Sequence, residues 1–303
     1  MRRLRCPYCG AVFEVPKGAV YAVCPYCGTT VVAKTGEEAT RQYYYPPRLD
    51  DGEAFLLAVS RARMLPGAPA DIAETASLAR SELHYLPLYI CSAEAWVEGC
   101  EGAREEREET WLATSRLPLP GLEHGYRFPV VGREPYDPRR ARRGVFHQPD
   151  ASPEPRCSAL RARVEYRAAG EARLAGCRGS VESRAGLVGV AHYPVWLIEY
   201  HHPLAGQPLR AVVDAVDANL LYLEYPIPLE RRALVLGGAA LVLGTGLAAA
   251  AAVGLAAGSL AASILGGLVG SAVAASPLLA TGLSRTGRYR YRPPRVERLF
   301  IKG

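Results

Sequence analysis

From Ala233 to Ser284 the chain runs for 52 residues without one charged side chain, between Glu230-Arg231-Arg232 and Arg285. One bilayer crossing takes about 20 residues of helix, so this length fits two spans and a tight turn. The expectation is a transmembrane helical hairpin over residues 229–284, with helices at about Ala233–Val253 and Ser259–Thr281 and a turn near Gly254–Gly258. The competing reading is an Ala/Gly-rich helical pair inside a soluble core. Soluble helices of this length carry a polar stripe, and this run has none. Gly254-x-x-x-Gly258 and Gly266-x-x-x-Gly270 would let two helix backbones approach closely, and Pro277 would kink the second span.

The flanks give an expected topology. Arg231 and Arg232 precede the hairpin; Arg285, Arg288, Arg290, Arg292, Arg295 and Arg298 follow it. The positive-inside rule then places both ends on the cytoplasmic side of the cell (inner) membrane. Tyr289 and Tyr291 would suit the headgroup level. The formal net charge of the chain is +6, and residues 285–303, a basic cytoplasmic tail, carry all of that excess. The excess therefore speaks to topology and to anionic headgroups near Arg285, Arg288, Arg290, Arg292 and Arg295 before it speaks to nucleic acid. Met1-Arg2-Arg3 leads into a cysteine motif and no apolar run, so no secretory signal is expected. Asn219 is the only asparagine, and Gln and Met are scarce. This fits a heat-adapted, thermophilic or archaeal source; a GC-rich genome explains the Arg-for-Lys bias equally well.

Cys6-Pro7-Tyr8-Cys9-Gly10 recurs as Cys24-Pro25-Tyr26-Cys27-Gly28, with 14 residues between Cys9 and Cys24. Two such knuckles bring four thiolates into a closed tetrahedral site, the arrangement of structural zinc. Each Gly allows a turn with positive φ that points backbone amides at sulfur. Val12–Val15, Tyr21–Val23 and Thr30–Val32 read as short strands. Residues 1–40 are thus expected to be a zinc ribbon holding one zinc on Cys6, Cys9, Cys24 and Cys27; a rubredoxin-like iron centre uses the same ligands but a longer loop. Four protein ligands leave no open position for catalysis. Arg2, Arg3, Arg5, Lys17, Lys34 and Arg41 exceed Glu14, Glu37 and Glu38 by three charges. Together with Tyr8, Tyr21 and Tyr26 they could touch phosphates and bases, or they could be solvated while the tyrosines fill the ribbon core.

Residues 41–228 read as an α+β cytoplasmic body. Asp50 or Asp51 caps a helix that sets Phe55, Leu56 and Val59 on one face and ends before Pro66-Gly67. A second short helix is expected between Pro69 and Arg80, then a strand from Leu83 to Val97. Glu98–Glu109, acidic and studded with Arg, reads as a solvated face or loop, and Pro118–Pro155 as irregular connection. A helix at Ser158–Leu174 precedes strands at Val190–Tyr200, Leu209–Val216 and Leu220–Tyr225, with Asp217-Ala218-Asn219 turning the last pair. His84–Ile90 echoes His192–Ile198: in both, Pro opens an aliphatic-aromatic-aliphatic strand. Two related helix-plus-antiparallel-sheet units are expected.

No Walker loop, G-x-G-x-x-G, G-x-S-x-G or H-E-x-x-H pattern occurs. His201-His202 beside Glu199 would point to opposite faces of a strand, and Asp214 and Asp217 read as turn formers. Cys91, Cys100, Cys157 and Cys177 lack knuckle spacing. They are free thiols, or they bridge as Cys91–Cys100 or Cys157–Cys177.

The order Cys6, Cys9, Cys24, Cys27, then Tyr85-Leu86-Pro87-Leu88-Tyr89-Ile90, then Tyr193-Pro194-Val195-Trp196-Leu197 with a hairpin, then membrane spans, resembles a family of prokaryotic zinc-ribbon membrane proteins of unknown function. Tyr89 stands where that family commonly has Trp, and Asp217-Ala218-Asn219 replaces an Asn-Gly-x-Thr-Gly turn. Some bacterial members are linked with SPFH and phage-shock membrane-stress proteins, so the resemblance implies an anchoring role and no enzyme. The expected function is a non-enzymatic, membrane-anchored adaptor presenting ribbon and body to a protein partner, SPFH-type by resemblance, with homo-oligomers compatible. The alternative is a membrane-tethered nucleic-acid- or ribosome-binding factor.

Overall fold

The computed structural model describes residues 2–39, 41–115, 119–122 and 126–291. Arg292, Arg295 and Arg298 lie outside the described residues. The ribbon region forms two hairpins, β1 (Arg2–Arg5) with β2 (Val12–Val15) and β3 (Tyr21–Val23) with β4 (Thr30–Val32). The body continues through β5 (Gln42–Tyr44), α1 (Asp51–Ala62), α2 (Ile72–Thr75), β6 (Ser77–Val97), β7 (Arg104–Leu112), β8 (Glu134–Pro135) and β9 (Val145–Phe146). It is completed by α3 (Glu154–Leu174), β10 (Val181–His201), β11 (Leu209–Asp214) and β12 (Leu220–Pro226). Helices α4 (Leu229–Ala257) and α5 (Leu260–Leu283) follow, and the strand β13 (Thr286–Arg290) returns to pair with β12. The class is mixed α+β.

The centre of the fold is the antiparallel pairing of β6 with β10, two 21-residue strands in register from Ser77↔His201 to Val97↔Val181. The two echoed segments lie across one another here, with Leu86 opposite Tyr193 and Pro87 opposite His192. Period-two alternation sorts β6 into two faces. Leu83, Tyr85, Cys91, Ala93, Ala95 and Val97 look toward the helices, whereas Leu86, Leu88 and Ile90 look the other way. Helix α1 covers Tyr85 and Trp196, while α3 covers Cys91 to Val97 through Leu160, Val164 and Ala168. The opposite face is closed by Tyr45, Leu119, Leu122 and Phe128.

Asp50 caps α1, and a capping box with Glu53 satisfies two orphan amides, worth about 1 kcal/mol. Its buried stripe is Ala54, Ala58, Val59 and Ala62, with Phe55 packed at the margin and Leu56 left exposed. Small residues, not Leu56, face the sheet because the helix lies close on Tyr200 and its neighbours. The helix expected between Pro69 and Arg80 shrinks to the four residues of α2, since β6 already begins at Ser77.

The largest correction concerns Glu98–Glu109. From Arg104 it is not a loop but the edge strand β7, paired with Leu88–Trp96. Its acids alternate between faces: Glu105 and Glu109 meet Arg167 and Arg163 of α3, and Glu108 meets Arg133 at 2.6 Å on the other side. A charged outer strand of this kind also discourages edge-to-edge pairing. Two disulfides fasten α3 and the segment after it to the sheet, Cys91–Cys157 and Cys100–Cys177, with Cα–Cα separations of 5.3 and 5.9 Å. The expected alternatives, free thiols or Cys91–Cys100 and Cys157–Cys177 bridges, are both replaced.

Helices α4 and α5 are long and apolar enough to cross a membrane, and only 11% of each apolar window is buried. They are therefore not a core pair of the body. They run longer than expected and turn at Gly258, which is left-handed at φ 68°. Their contact uses Gly246 opposite Ser271, Gly267 opposite Ala250, and Gly282 opposite Leu236. Gly266 and Gly270, expected at this seam, have nothing within 4 Å of a Cβ built on them. Arg232 caps the C-terminus of α5 by donating to the Gly282 and Leu283 carbonyls. The tail does not begin free: Thr286–Arg290 extends the sheet, and Tyr289 and Tyr291 pack on its two faces.

Candidate metal centre

Both knuckles fold identically because the same local bonds close them. The Cys6 amide donates to the Ala11 carbonyl (2.8 Å) and the Gly10 amide to the Cys6 carbonyl (3.0 Å). Cys24 and Gly28 repeat this with Thr29 and Cys24 at 2.9 and 2.8 Å. Gly10 and Gly28 take φ 74° and 73°, the left-handed turn that favours glycine. Leu4, Phe13, Val15, Ala22, Val31 and Ala33 form the small core behind the cysteines.

The four Sγ atoms lie within 4.8 Å of one another, with Cys6 to Cys27 at 3.6 Å and Cys9 to Cys24 at 3.7 Å. A zinc–sulfur bond of about 2.3 Å in a regular tetrahedron puts sulfurs about 3.8 Å apart, whereas a disulfide needs about 2.05 Å. The donor set and its spacing fit a tetrahedrally held metal ion. Burial pushes the Cys24 and Cys27 thiols up, although hydrogen bonds to Cys24 from the Tyr26 and Cys27 amides, and to Cys27 from Thr29, oppose it. For Cys9 burial also acts upward, but the Ala11 amide and the other three sulfurs outweigh it and leave its pKa lowered. Without a cation such a cluster is costly to ionise; a divalent ion at its centre supplies the compensating charge. Cys6 and Cys24 are buried, and the Thr29 hydroxyl sits 3.2 Å from Cys27 Sγ as an outer-shell partner.

The ribbon rests in the middle of the helix-covered face, between α1 and α3. Gln148 clamps Val23 like a strand residue: its Oε1 accepts from the Val23 amide at 2.9 Å and its Nε2 donates to the Val23 carbonyl. The Tyr136 hydroxyl donates to the Cys27 carbonyl. Tyr136, Phe146 and His192 form an edge-to-face ring cluster beneath the second knuckle. His192 Nε2 lies 3.4 Å from the Thr30 hydroxyl, and burial depresses its pKa to about 4, so it packs as a neutral ring. Tyr21 packs against Tyr89 with ring centroids 6.1 Å apart. Tyr8 and Tyr26 remain exposed, and Arg139 donates to the Tyr8 hydroxyl at 3.2 Å. None of the three tyrosines fills the ribbon core, contrary to that expectation.

Sequence reasoning missed Tyr136, Gln148 and His192 as ribbon contacts. The first two are isolated residues in a Pro- and Arg-rich stretch with no periodicity to mark them. His201 and His202 do not converge: His202 Nε2 is 2.8 Å from the Thr75 hydroxyl, and its Nδ1 accepts from the Leu204 amide. Asp214 is the turn former expected, accepting from the Val216 and Asp217 amides with one oxygen and from the Tyr126 and Tyr193 hydroxyls with the other. A second histidine pair, His84 and His147, stacks at 5.1 Å with Nδ1 and Nε2 2.9 Å apart. Comparison of the chain with protein-family models, with curated proteins and with solved structures gave no match.

Proposed function

We propose that the chain is a membrane-anchored adaptor without catalytic activity. In this reading zinc on Cys6, Cys9, Cys24 and Cys27 holds the ribbon, α4 and α5 cross the bilayer with both ends cytoplasmic, and the body docks another protein. The observation that carries it is the placement of the hairpin between two hydrogen-bonded neighbours, β12 and β13, with Pro226 opposite Thr286. Such a connection couples the sheet stiffly to whatever holds the helices. We also read the helix-strand-hairpin runs around β6 and β10 as two related units.

The candidate docking face combines Tyr8 and Tyr26 with the exposed Arg139, Arg140, Arg142 and Arg143 of the loop beside the ribbon. Its chemistry suits an acidic protein surface; an SPFH-type protein is the partner that the family resemblance implies. The same arginines beside exposed tyrosines favour one second reading, a nucleic acid or ribosome. Affinity capture from detergent-solubilised membranes separates them. The adaptor reading expects a protein that survives nuclease treatment and is lost with Arg139→Glu/Arg142→Glu/Arg143→Glu or with Cys24→Ser/Cys27→Ser. Capture that disappears with nuclease and falls steeply with salt supports the second reading. Recovery of no specific partner overturns both.

A further inference from the structure

We infer that the end of the sheet carrying the hairpin is itself a seat on the bilayer, with Met64 and Leu204 entering the lipid interface beside the root of α4. This rests on the reading that α4 and α5 span a membrane.

Strand register defines that end. Ser77 of β6 lies opposite His201, Tyr200 opposite Leu209, Ala211 opposite Leu223, and Pro226 opposite Thr286. The β10–β11 turn, residues 202–208, therefore projects past the sheet on the side where α4 leaves and α5 returns. The turn after α1 belongs to the same end, because the Tyr225 hydroxyl donates to the Pro66 carbonyl at 3.2 Å and Tyr225 stands four residues before Leu229. Bonding of Thr75 to His202 ties the β10–β11 turn to α2, which follows the turn after α1.

Large apolar side chains are exposed at all three points: Met64 by 67%, Leu204 by 56% and Leu229 by 73%. One exposed Leu needs no explanation; three large apolar side chains at the one end of the sheet from which an apolar hairpin leaves do. Charged side chains at this end include Arg61, Arg63, Arg231, Arg232 and Arg285 beside Asp71, Glu74 and Glu230; Arg63 reaches Glu74 at 3.8 Å, and Arg232 donates to the Gly282 and Leu283 carbonyls. The contribution of Met64 and Leu204 is apolar insertion at the interface, which added salt leaves in place.

The test places the photoreactive residue p-benzoylphenylalanine at position 64, 204, 241 or 131 of the full chain, reconstituted in phosphatidylcholine vesicles. Leu241 is exposed on α4, and Val131 is exposed near Arg133, which pairs with Glu108 beside Ser92. Fifteen residues of β6 separate Ser92 from Ser77, about 50 Å of strand. Lipid adducts at 64, 204 and 241, unchanged by added salt, with none at 131, are the expected result. Adducts at 241 without adducts at 64 or 204 overturn the seat and leave the spanning hairpin intact. Loss of adducts at 241 overturns the spanning reading, and the seat with it.

Discussion

Replacing Gly10 and Gly28 separately by alanine tests how the ribbon is held, because one sequence motif supplies its own control. The two glycines close identical knuckles at φ 74° and 73°. A Cβ in the left-handed region costs each variant about 1 kcal/mol. At Gly10 nothing lies within 4 Å of the added atom. At Gly28 it collides with the Tyr136 hydroxyl and the Phe146 ring, 2.6 Å from Phe146 Cζ. Neither neighbour is free to yield. Phe146 is stacked on Tyr85 at 4.6 Å and held in β9, and the Tyr136 hydroxyl is bound to the Cys27 carbonyl. Overpacking of this kind adds about 1–3 kcal/mol. Gly10→Ala should thus lower stability by about 1 kcal/mol and Gly28→Ala by about 2–4 kcal/mol. Calorimetric unfolding of the full chain in detergent gives the two losses, and a chromogenic chelator reports whether metal is retained. Both variants should keep their metal, while only Gly28→Ala should gain protease cleavage between the ribbon and α1. Equal destabilisation by the two substitutions would refute the docking of the ribbon on Tyr136 and Phe146.

Acid should weaken the fold through the stacked pair of His84 and His147. His147 is held down to about 4, chiefly by burial and then by His84, so the unfolded chain takes up its proton near 6.5 while the folded one resists. Stability from this residue is present above pH 6.5 and is lost as the pH falls toward 4, up to about 3 kcal/mol; unfolding midpoints of wild type and His147→Gln across that window should converge at low pH, and parallel curves would contradict the assignment. In the hairpin, Gly267→Leu should cost about 1–3 kcal/mol by driving into Ala250, whereas Gly266→Leu meets open space; detergent-resistant compaction of the helices, read by protease protection, should be lost only in the first. Reduction should loosen α3, since the disulfides close separations of 66 and 77 residues, each worth about 4 kcal/mol of chain entropy. Hydrogen exchange over residues 154–174 should accelerate on adding reductant, and unchanged protection would argue that packing alone holds the helix.

Features carried by local chemistry were legible before the structure. The knuckles need Cys-x-x-Cys-Gly wherever they occur, the cap of α1 needs Asp50 with Glu53, and 52 uncharged residues leave the hairpin few alternatives. Features settled by distant partners were not. Glu105 and Glu109 of β7 read as solvated because the arginines that meet them stand on α3, more than 50 residues later. One disulfide joins β6 to α3 and the other joins the turn after β6 to the segment after α3, so spacing between cysteines carries no trace of them. Leu56 looked like a core residue by periodicity, but the close approach of helix to strand selected Ala54, Ala58 and Ala62 instead. The glycine seam of the hairpin was displaced by one residue, from Gly266 to Gly267, because composition alone cannot phase a helix that is small-residue-rich on every side.

The position of β13 makes the body a late product of its own synthesis. A ribosome completes β12 before either long helix exists, and the outer hydrogen-bonding edge of β12 stays bare until the chain has traversed α4 and α5 and come back. Only a hairpin whose two ends emerge on one side can deliver Thr286–Arg290 to that edge and bring Arg288 within 3.8 Å of Glu224. In the reading in which α4 and α5 span a bilayer, the pairing of β13 with β12 thus makes closure of the sheet depend on both helix ends lying on one side.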